Sequence, residues 1–260
     1  MLSSFAGRTY IVTGGASGIG LATVRKLLSL SATVHIIDKA RDVPEITAGP
    51  GKLHVYPDID VSSRGAVADT FKTIIDRTPA IHGLVNAAGI SPSGNYDTEG
   101  DGYAIERDET YDRVMEINAG GTWNATNELL RHTLARKRSE GDTVSIVNIG
   151  SLASLRGYRT MSAYCASKHA VLGMTRAWAL EYAARGIRVN LIAPGLIKTP
   201  LGMKAVETGD ERGEVAKAYA SAAPMKRLGG PEEVAGPIVF LLGDEASYIT
   251  GEAISVGGGA

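Results

Sequence analysis

Short apolar runs alternate along the chain with longer amphipathic stretches. Seven runs are predicted strands: residues 9–12, 33–37, 53–56, 83–85, 144–149, 188–192 and 253–256. Five stretches between them are predicted helices: residues 18–29, 64–77, 110–136, 162–184 and 232–242. The strand runs are continuously apolar, which is typical of parallel strands covered on both faces. The alternation predicts an α/β fold: a doubly wound parallel sheet of about seven strands with helices on both faces.

The whole chain, residues 1–260, is predicted to form one domain, because no repeat, low-complexity tract or linker divides it. Two segments interrupt the alternation: residues 91–108 are polar, and residues 200–224 are weakly helical. Both follow strands, and ligands of open α/β sheets bind at the carboxyl ends of the strands. Both segments are therefore candidates to line a site, and ordinary surface loops are the alternative.

The charge balance is nearly neutral, with 27 Lys and Arg against 28 Asp and Glu. Such a balance offers no electrostatic surface for nucleic acid or an anionic membrane. The chain has one cysteine, and its five histidines show no metal-ligand spacing, so we expect no metal. With no signal peptide and no membrane-spanning run evident in the sequence, we expect a cytoplasmic protein.

A glycine-rich turn joins the first predicted strand to the first predicted helix. Its residues are Thr13, Gly14, Gly15, Ala16, Ser17, Gly18, Ile19 and Gly20. Glycine permits close approach of the backbone, and the helix N-terminus offers free amides and a positive dipole end to a pyrophosphate. The position of the turn strengthens an otherwise weak motif and predicts a dinucleotide site.

Asp38 ends the second predicted strand, eighteen positions after Gly20. A carboxylate there accepts hydrogen bonds from the adenosine ribose and repels a 2′-phosphate. This favours NAD over NADP, although Lys39 and Arg41 lie nearby in sequence.

Tyr164 and Lys168 are four positions apart in a predicted helix and so share one face. Ser151 follows the predicted strand 144–149, at the edge where the nucleotide is expected. The topology predicts that the three side chains meet at the cofactor crevice.

Taken together, these motifs closely resemble the short-chain dehydrogenase/reductase family over essentially the whole chain. Besides the glycine turn, the matching motifs are Asn86-Ala87-Ala88-Gly89, a structural Asn at Asn118, Ser151, Tyr164 and Lys168, Pro194-Gly195 with Ile197 and Thr199 after it, and Asp60-Val61. Asp58 competes with Asp60 for the acidic position of the last pair.

The resemblance implies that Tyr164 is the general acid or base, its pKa lowered by the Lys168 ammonium and the nicotinamide ring. Ser151 would hold the substrate oxygen, and Asn118 would hold a water that relays protons from Lys168. Implied cofactor contacts are Gly14, Ser17, Gly18, Ile19, Gly20, Asp38, Asp60, Val61, Asn86, Ala87, Gly89, Tyr164, Lys168, Pro194, Gly195, Ile197 and Thr199.

On the substrate side, the resemblance makes residues 200–224 a lid. Candidate substrate contacts are Tyr96, Arg156, Tyr158, Leu201 and Met203. The long 91–108 segment suggests a bulky or cyclic substrate. An apolar stripe of Val171, Met174 and Trp178 suggests a homotetramer, although packing within one subunit explains it almost as well.

The resulting hypothesis is an NAD-dependent oxidoreductase that interconverts a secondary alcohol and a ketone. One alternative is an NADPH-dependent ketone or enone reductase of the same fold. A nucleotide-binding sensor or scaffold is the non-enzymatic alternative, against which the intact Ser151, Tyr164 and Lys168 argue. Lyases and epimerases on this fold usually alter the Ser or Tyr.

Overall fold

The computed structural model describes residues 5–47, 49–91, 96–99, 103–136, 143–207, 220–221 and 223–260. A parallel sheet of seven strands forms its centre, in the order β3-β2-β1-β4-β7-β8-β9. These strands are β1 (Thr9–Thr13), β2 (Thr33–Ile37), β3 (Lys52–Tyr56), β4 (Gly83–Asn86), β7 (Val144–Ile149), β8 (Ile187–Pro194) and β9 (Ala253–Val256). The predicted doubly wound sheet is confirmed.

Helices cover both faces of the sheet. They are α1 (Gly18–Ser29), α2 (Arg64–Arg77), α3 (Asp108–Val114), α4 (Gly121–Ala135), α5 (Ser162–Tyr182), α6 (Pro200–Glu207) and α7 (Pro231–Leu242). Within the described residues, none of these helices is long and apolar enough to cross a bilayer.

Alternate residues of each central strand pack into different cores. On one face, Tyr10 and Val12 of β1 pack with the apolar sides of α1 and α7. On the other face, Ile11 packs with Phe71 of α2 and Leu129 of α4. Every residue of β1 is buried, which explains why its sequence is a continuous apolar run rather than an alternating one.

The predicted helix over residues 110–136 is wrong in detail. The observed α3 ends at Val114, and a π-helical turn, Met115–Gly120, connects it to α4. Two consecutive glycines, Gly120 and Gly121, lie at the end of this turn. A Cβ on Gly121 would come within 2.5 Å of a Val61 methyl, so the chain can pass Val61 only where it has no side chain.

The polar 91–108 segment contains an antiparallel hairpin of β5 (Tyr96–Glu99) and β6 (Tyr103–Glu106). It forms a separate two-stranded sheet beside the main one. Of the predicted lid, residues 200–207 form α6, and residues 208–219 and 222 lie outside the described residues.

Candidate active site

A large cleft lies along the carboxyl ends of the parallel strands, at the point where the strand order reverses between β1 and β4. Its volume is about 1230 Å³. It is lined by residues that follow β1, β2, β4, β7 and β8, as the topology of a parallel sheet requires.

The glycine turn forms one wall of the cleft, with Gly14, Ser17, Gly18, Ile19 and Gly20 among the lining residues. Gly14 has φ +67°, and a Cβ there would lie 2.6 Å from the nitrogen of Ala88. A Cβ on Gly20 would lie 2.1 Å from the carbonyl oxygen of Gly14. Both positions therefore need glycine so that the turn can pack against the loop after β4.

The first turn of α1 has no acidic residue, and its N-cap Ser17 makes no side-chain capping hydrogen bond. The amides at this helix end are consequently left for another acceptor. A phosphate of a dinucleotide fits that requirement, because anions are stabilised at helix N-termini.

Asp38 lies at the end of β2, and its carboxylate is oriented by the backbone. Its Oδ2 accepts a hydrogen bond from the Ala16 nitrogen and its Oδ1 one from the Ala40 nitrogen, both at 2.9 Å. Asp38 thus links the glycine turn to the end of β2 and still lines the cleft.

Asp60 also lines the cleft, but its carboxylate is engaged. It accepts hydrogen bonds from Lys39 at 2.7 Å and from the backbone and hydroxyl of Ser62. The Lys39 ammonium and these donors lower the pKa of Asp60 to about 2. Neighbouring Val61 lines the cleft and accepts a hydrogen bond from Asn124 at its carbonyl. The competing Asp58 is exposed, has φ +57° and pairs with Arg41 at 3.5 Å.

Asn86 is the cofactor candidate that the structure places elsewhere. Its side chain is buried, and its Nδ2 donates to Thr126 Oγ1 at 2.9 Å and to Asn148 Oδ1 at 2.8 Å. Asn148 continues the network by donating to Thr175 at 2.9 Å. Asn86 is not among the residues that line the cleft; it ties β4 to β7 and supports Ala87 and Gly89, which do line it.

Tyr164 and Lys168 occupy one face of α5 and both line the cleft. The Lys168 Nζ lies 5.6 Å from the centroid of the Tyr164 ring. The same amine donates to the carbonyl oxygen of Ile149 at the end of β7, at 2.9 Å. Burial lowers the pKa of Lys168 to about 8, because desolvation penalises the ammonium form.

Ser151 follows β7 and caps a short 3₁₀ turn, Leu152–Ser154. Its Oγ accepts a hydrogen bond from the Ala153 nitrogen at 3.1 Å, while its own nitrogen donates to Ser154 Oγ at 3.2 Å. The hydroxyl proton of Ser151 does not take part in this cap, so the hydroxyl can still donate to a ligand in the cleft.

Asn118 lies in the π-helical turn, buried and with both ends of its side-chain amide hydrogen-bonded. Its Oδ1 accepts from the Ile90 nitrogen at 2.8 Å, and its Nδ2 donates to the Ile90 oxygen and to Ser167 Oγ at 3.0 and 3.1 Å. Asn118 does not itself line the cleft. A Cβ on the intervening Gly89 would lie 3.1 Å from Asn118 Oδ1 and 3.5 Å from Lys168 Nζ, so Asn118 lies close behind the Lys168 amine.

The loop after β8 forms the opposite wall, with Pro194, Gly195, Ile197 and Thr199 in the lining. Thr199 Oγ1 accepts a hydrogen bond from the nitrogen of Gly202, which fixes the start of α6. A Cβ on Gly18 would lie 3.2 Å from the Thr199 side chain. The two walls therefore approach each other at Gly18 and Thr199.

Three of the five substrate candidates, Arg156, Tyr158 and Leu201, line the cleft. Met203 is half-buried and is not among the lining residues. The side chain of Tyr96 lies outside the described part of the structure, although its backbone belongs to β5.

Sequence reasoning missed Glu106, the last residue of β6. Its Oε2 accepts a hydrogen bond from the Ala163 nitrogen at 2.7 Å, at the start of α5. Met161, the N-cap of α5, provides no side-chain cap. No short-range signal could have identified Glu106, because it lies 57 positions away in a segment expected to be a loop.

Among the described residues, no group of three or more His, Cys, Asp or Glu side chains is placed to hold a metal ion. The donor set instead fits a dinucleotide. The cleft is lined by the uncapped N-terminus of α1 and by the carboxylate of Asp38, which is hydrogen-bonded to the glycine turn. It is also lined by Tyr164 and Lys168.

A family model described as enoyl-(acyl carrier protein) reductase matches residues 14–260. Over 259 residues, the chain is 35% identical to 3-oxoacyl-(acyl-carrier-protein) reductase FabG of Thermotoga maritima, covering 97% of both proteins. It is 33% identical over 265 residues to levodione reductase of Leifsonia aquatica, covering 98% of this chain and 94% of the relative.

Solved structures agree with this likeness. A crystal structure of levodione reductase superposes with a TM-score of 0.87 at 30% identity, covering 98% of both chains. The structure of ElxO with NADP bound superposes with a TM-score of 0.83 at 29% identity, covering 97% of this chain and 98% of the other.

Proposed function

We propose that this chain, which belongs to the short-chain dehydrogenase/reductase family of oxidoreductases, is an NAD-dependent enzyme that interconverts a secondary alcohol and a ketone. The observation that carries the proposal is the position of the Lys168 amine, 5.6 Å from the Tyr164 ring centroid in the same cleft. A fixed cation beside a phenol favours the phenolate, which is the form that can accept a proton from an alcohol.

In the oxidative direction, Tyr164 accepts the proton of the substrate hydroxyl, and Ser151 donates a hydrogen bond to the same oxygen. In the reductive direction, Tyr164 returns the proton to the forming alkoxide. When bound, the nicotinamide cofactor supplies or accepts the hydride. In both directions, the Lys168 ammonium stabilises the phenolate form of Tyr164. Asn118 and Gly89 lie close behind the Lys168 amine.

The residues proposed to bind the cofactor are distributed along the cleft, and each group contacts a different part of the dinucleotide. The α1 N-terminus and its glycine turn take the pyrophosphate, and Asp38 takes the adenosine ribose. Asp60 and Val61 take the adenine, and Ala87 and Gly89 line the ribose side. Pro194, Gly195, Ile197 and Thr199 take the carboxamide end.

The preference for NAD rests on Asp38. Its carboxylate is fixed by two backbone donors, and in the proposed binding mode it would repel the 2′-phosphate of NADP. Lys39, the nearby cation that would favour NADP, is paired with Asp60 at 2.7 Å. NADPH-dependent reduction of a ketone or enone is the second candidate, favoured by the bound NADP of the similar ElxO structure.

For the substrate we propose a bulky or cyclic secondary alcohol or ketone. The β5–β6 hairpin adds material beside the start of α5, and Leu201 of α6 contributes an apolar wall to the cleft. Residues 200–224 are proposed to act as a substrate lid. A relative named for levodione is consistent with this choice.

We further propose a single domain over residues 1–260, a cytoplasmic location and a homotetramer. The two large cores lie on opposite faces of one sheet, which supports one folding unit. On α5, Trp178 packs against Trp123 of α4 with ring centroids 5.9 Å apart, and Trp123 is 45% exposed. Val171 and Trp178 of the predicted stripe are buried in the cores of the subunit itself, so the homotetramer proposal relies on the exposed face of Trp123 as a subunit contact.

The test measures initial rates of the purified full chain with NAD and NADP across cyclic and bulky secondary alcohols, and with the corresponding ketones and reduced cofactors. Wild type is compared with Tyr164→Phe and with Tyr248→Phe, a control on a fully exposed tyrosine. Turnover by wild type and the control, with a loss of at least about a thousandfold in Tyr164→Phe, supports the proposal. Nucleotide binding without turnover of any compound favours the sensor or scaffold.

A further inference from the structure

Four arginines line the cleft, and three of them come from α3 and from the segment between Ser151 and Tyr164. Arg113 comes from α3, and Arg156 and Arg159 come from the connection between the 3₁₀ turn after Ser151 and the start of α5. All three are exposed. They share the lining with Ser151 and Tyr164, which are proposed to hold the reacting oxygen.

None of these arginines forms an ion pair within the described part of the chain. The described acids that line the cleft are engaged elsewhere. Asp38 and Asp60 lie at the adenosine end, and Glu233 forms a two-bond ion pair with Arg227 at 2.7 Å. In the described lining of the cleft, the positive charge of Arg113, Arg156 and Arg159 is therefore not compensated by a paired carboxylate.

One of the arginines is also held in place by a neighbour. The Nε of Arg156 donates to the Tyr158 hydroxyl at 2.9 Å, and its Cζ lies 5.4 Å from the centroid of that ring. This contact uses one of the five guanidinium N–H groups and leaves four for another acceptor. A planar guanidinium with free donors matches the two oxygens of a carboxylate, sulfonate or phosphate.

From this charge pattern we infer that the substrate is a secondary alcohol or ketone that carries an oxyanion group. Arg156 and Arg159 bind this group, and Arg113 adds to the attraction. The inference rests on the proposed function, because it places the group relative to Ser151 and Tyr164. It narrows the substrate class from a bulky alcohol to an anionic one, a carboxylate, a sulfonate or a phosphate.

The experiment uses matched substrate pairs with the full-length enzyme. A cyclic secondary alcohol bearing a carboxylate is compared with its methyl ester, and sulfonate and phosphate analogues of the same alcohol form further arms. Steady-state constants are measured for wild type, Arg156→Gln and Arg159→Gln. Arg25→Gln, an exposed arginine on α1 outside the cleft, is the matched control.

We expect wild type to have a higher kcat/KM for at least one anionic alcohol than for the neutral ester. In Arg156→Gln and Arg159→Gln, the KM for that anion should rise about tenfold more than the KM for the ester. Arg25→Gln should change neither constant. The preference for the anion should also weaken as the salt concentration is raised, since exposed charges are screened.

Two different failures are distinguishable. Turnover of the neutral esters with no anion preferred, or equal changes in both KM values in the arginine variants, overturns this inference and leaves the oxidoreductase in place. No turnover of either member of any pair, with either cofactor, overturns both proposals.

Discussion

The carboxylate of Glu106 accepts a hydrogen bond from the main-chain nitrogen of Ala163, the residue directly before Tyr164, at 2.7 Å. Through this one contact the β5–β6 hairpin caps the helix that carries Tyr164 and Lys168. The second oxygen of Glu106 is buried without a hydrogen-bond partner in the described structure. The hairpin is therefore attached to the proposed catalytic helix by a charged group at the helix N-terminus, where negative charge is favourable.

Glu106→Ala should destabilise the protein by about 1 kcal/mol, the usual cost of losing a helix cap, and should lower kcat more than it raises KM. Glu106→Gln keeps an acceptor oxygen and should recover most of kcat. Thermal unfolding and steady-state kinetics check both effects, with Glu109→Ala, an exposed acid on α3, as the control. Equal kinetic constants in wild type and Glu106→Ala would show that the hairpin does not position the helix.

In the ligand-free protein at neutral pH, the buried Lys168 should lower the free energy of unfolding. Its pKa is about 8 in the folded chain, against 10.5 for the free side chain, because burial disfavours the ammonium. One pKa unit corresponds to about 1.4 kcal/mol, so the penalty is on the order of 3 kcal/mol. The unfolded chain binds more protons between pH 8 and 10.5, and the free energy of unfolding should rise with pH across that interval.

Lys168→Met should therefore abolish turnover, keep or raise the melting temperature at pH 7, and flatten the rise in stability at alkaline pH. Calorimetry over this range provides the measurement. Lys72→Met, on the exposed side of α2, is the matched control and should keep the wild-type slope. If Lys168→Met showed the same slope as wild type, the buried ammonium would not be its source.

Under the proposed cofactor binding, the preference for NAD or NADP should depend on three charged residues, Asp38, Lys39 and Asp60. Asp38→Ala removes the carboxylate that is proposed to oppose a 2′-phosphate, so the NADP to NAD ratio of kcat/KM should rise at least about tenfold. Adding Asp60→Asn should raise the ratio further, because it releases Lys39 from its 2.7 Å ion pair. Lys39→Ala in the double variant should reverse that second gain. An unchanged ratio in Asp38→Ala would count against the assignment of NAD.

His35 should make the fold acid-sensitive. It is buried in β2, its two ring nitrogens lie 3.2 Å from Tyr56 Oη and Thr78 Oγ1, and His54 stacks on it at 4.7 Å. Burial, with the charges of His54 and Arg77, lowers the pKa of His35 from 6.5 to about 4. The unfolded chain binds more protons in this interval, so the free energy of unfolding should fall as the pH falls from 6.5 to 4.

His35→Gln removes this titration and should flatten the acid side of the stability curve. Urea unfolding at several pH values gives the measurement, and His169→Gln, on an exposed residue of α5, should leave the curve unchanged. An equally steep curve for His35→Gln would assign the acid sensitivity to other groups.

The sequence was sufficient to predict the sheet and most of the helices. Strands that are buried on both faces of the sheet appear in the sequence as continuous apolar runs. Helix α1 and helix α2 begin and end at the predicted residues. The positions of the glycine turn and Asp38 were also predictable, since each directly follows a strand. The four-residue spacing of Tyr164 and Lys168 predicted that they share one face of a helix.

The features that could not be predicted from the sequence depend on contacts between residues that are distant in the chain. The sequence marks Asn86 as part of a motif, but only the register of β4 beside β7 shows that its side chain bonds to Asn148. The engagement of Asp60 by Lys39 likewise requires two loops to meet. The β5–β6 hairpin was not predicted because its strands pair only with each other, outside the main sheet, and therefore lack the continuous apolar run of a buried strand.

The π-helical turn at Met115–Gly120 fixes the number of residues between α3 and α4. Each turn of this kind holds about one residue more than an α-helical turn. Removing one residue there would let α3 and α4 join as one regular helix, but it would rotate every side chain before the deletion by about 100° relative to α4. Arg113 and Thr110 would leave their present faces, and Asn118 would lose its place beside Ile90. In a lineage of such enzymes, this segment should therefore tolerate substitutions more readily than changes in length.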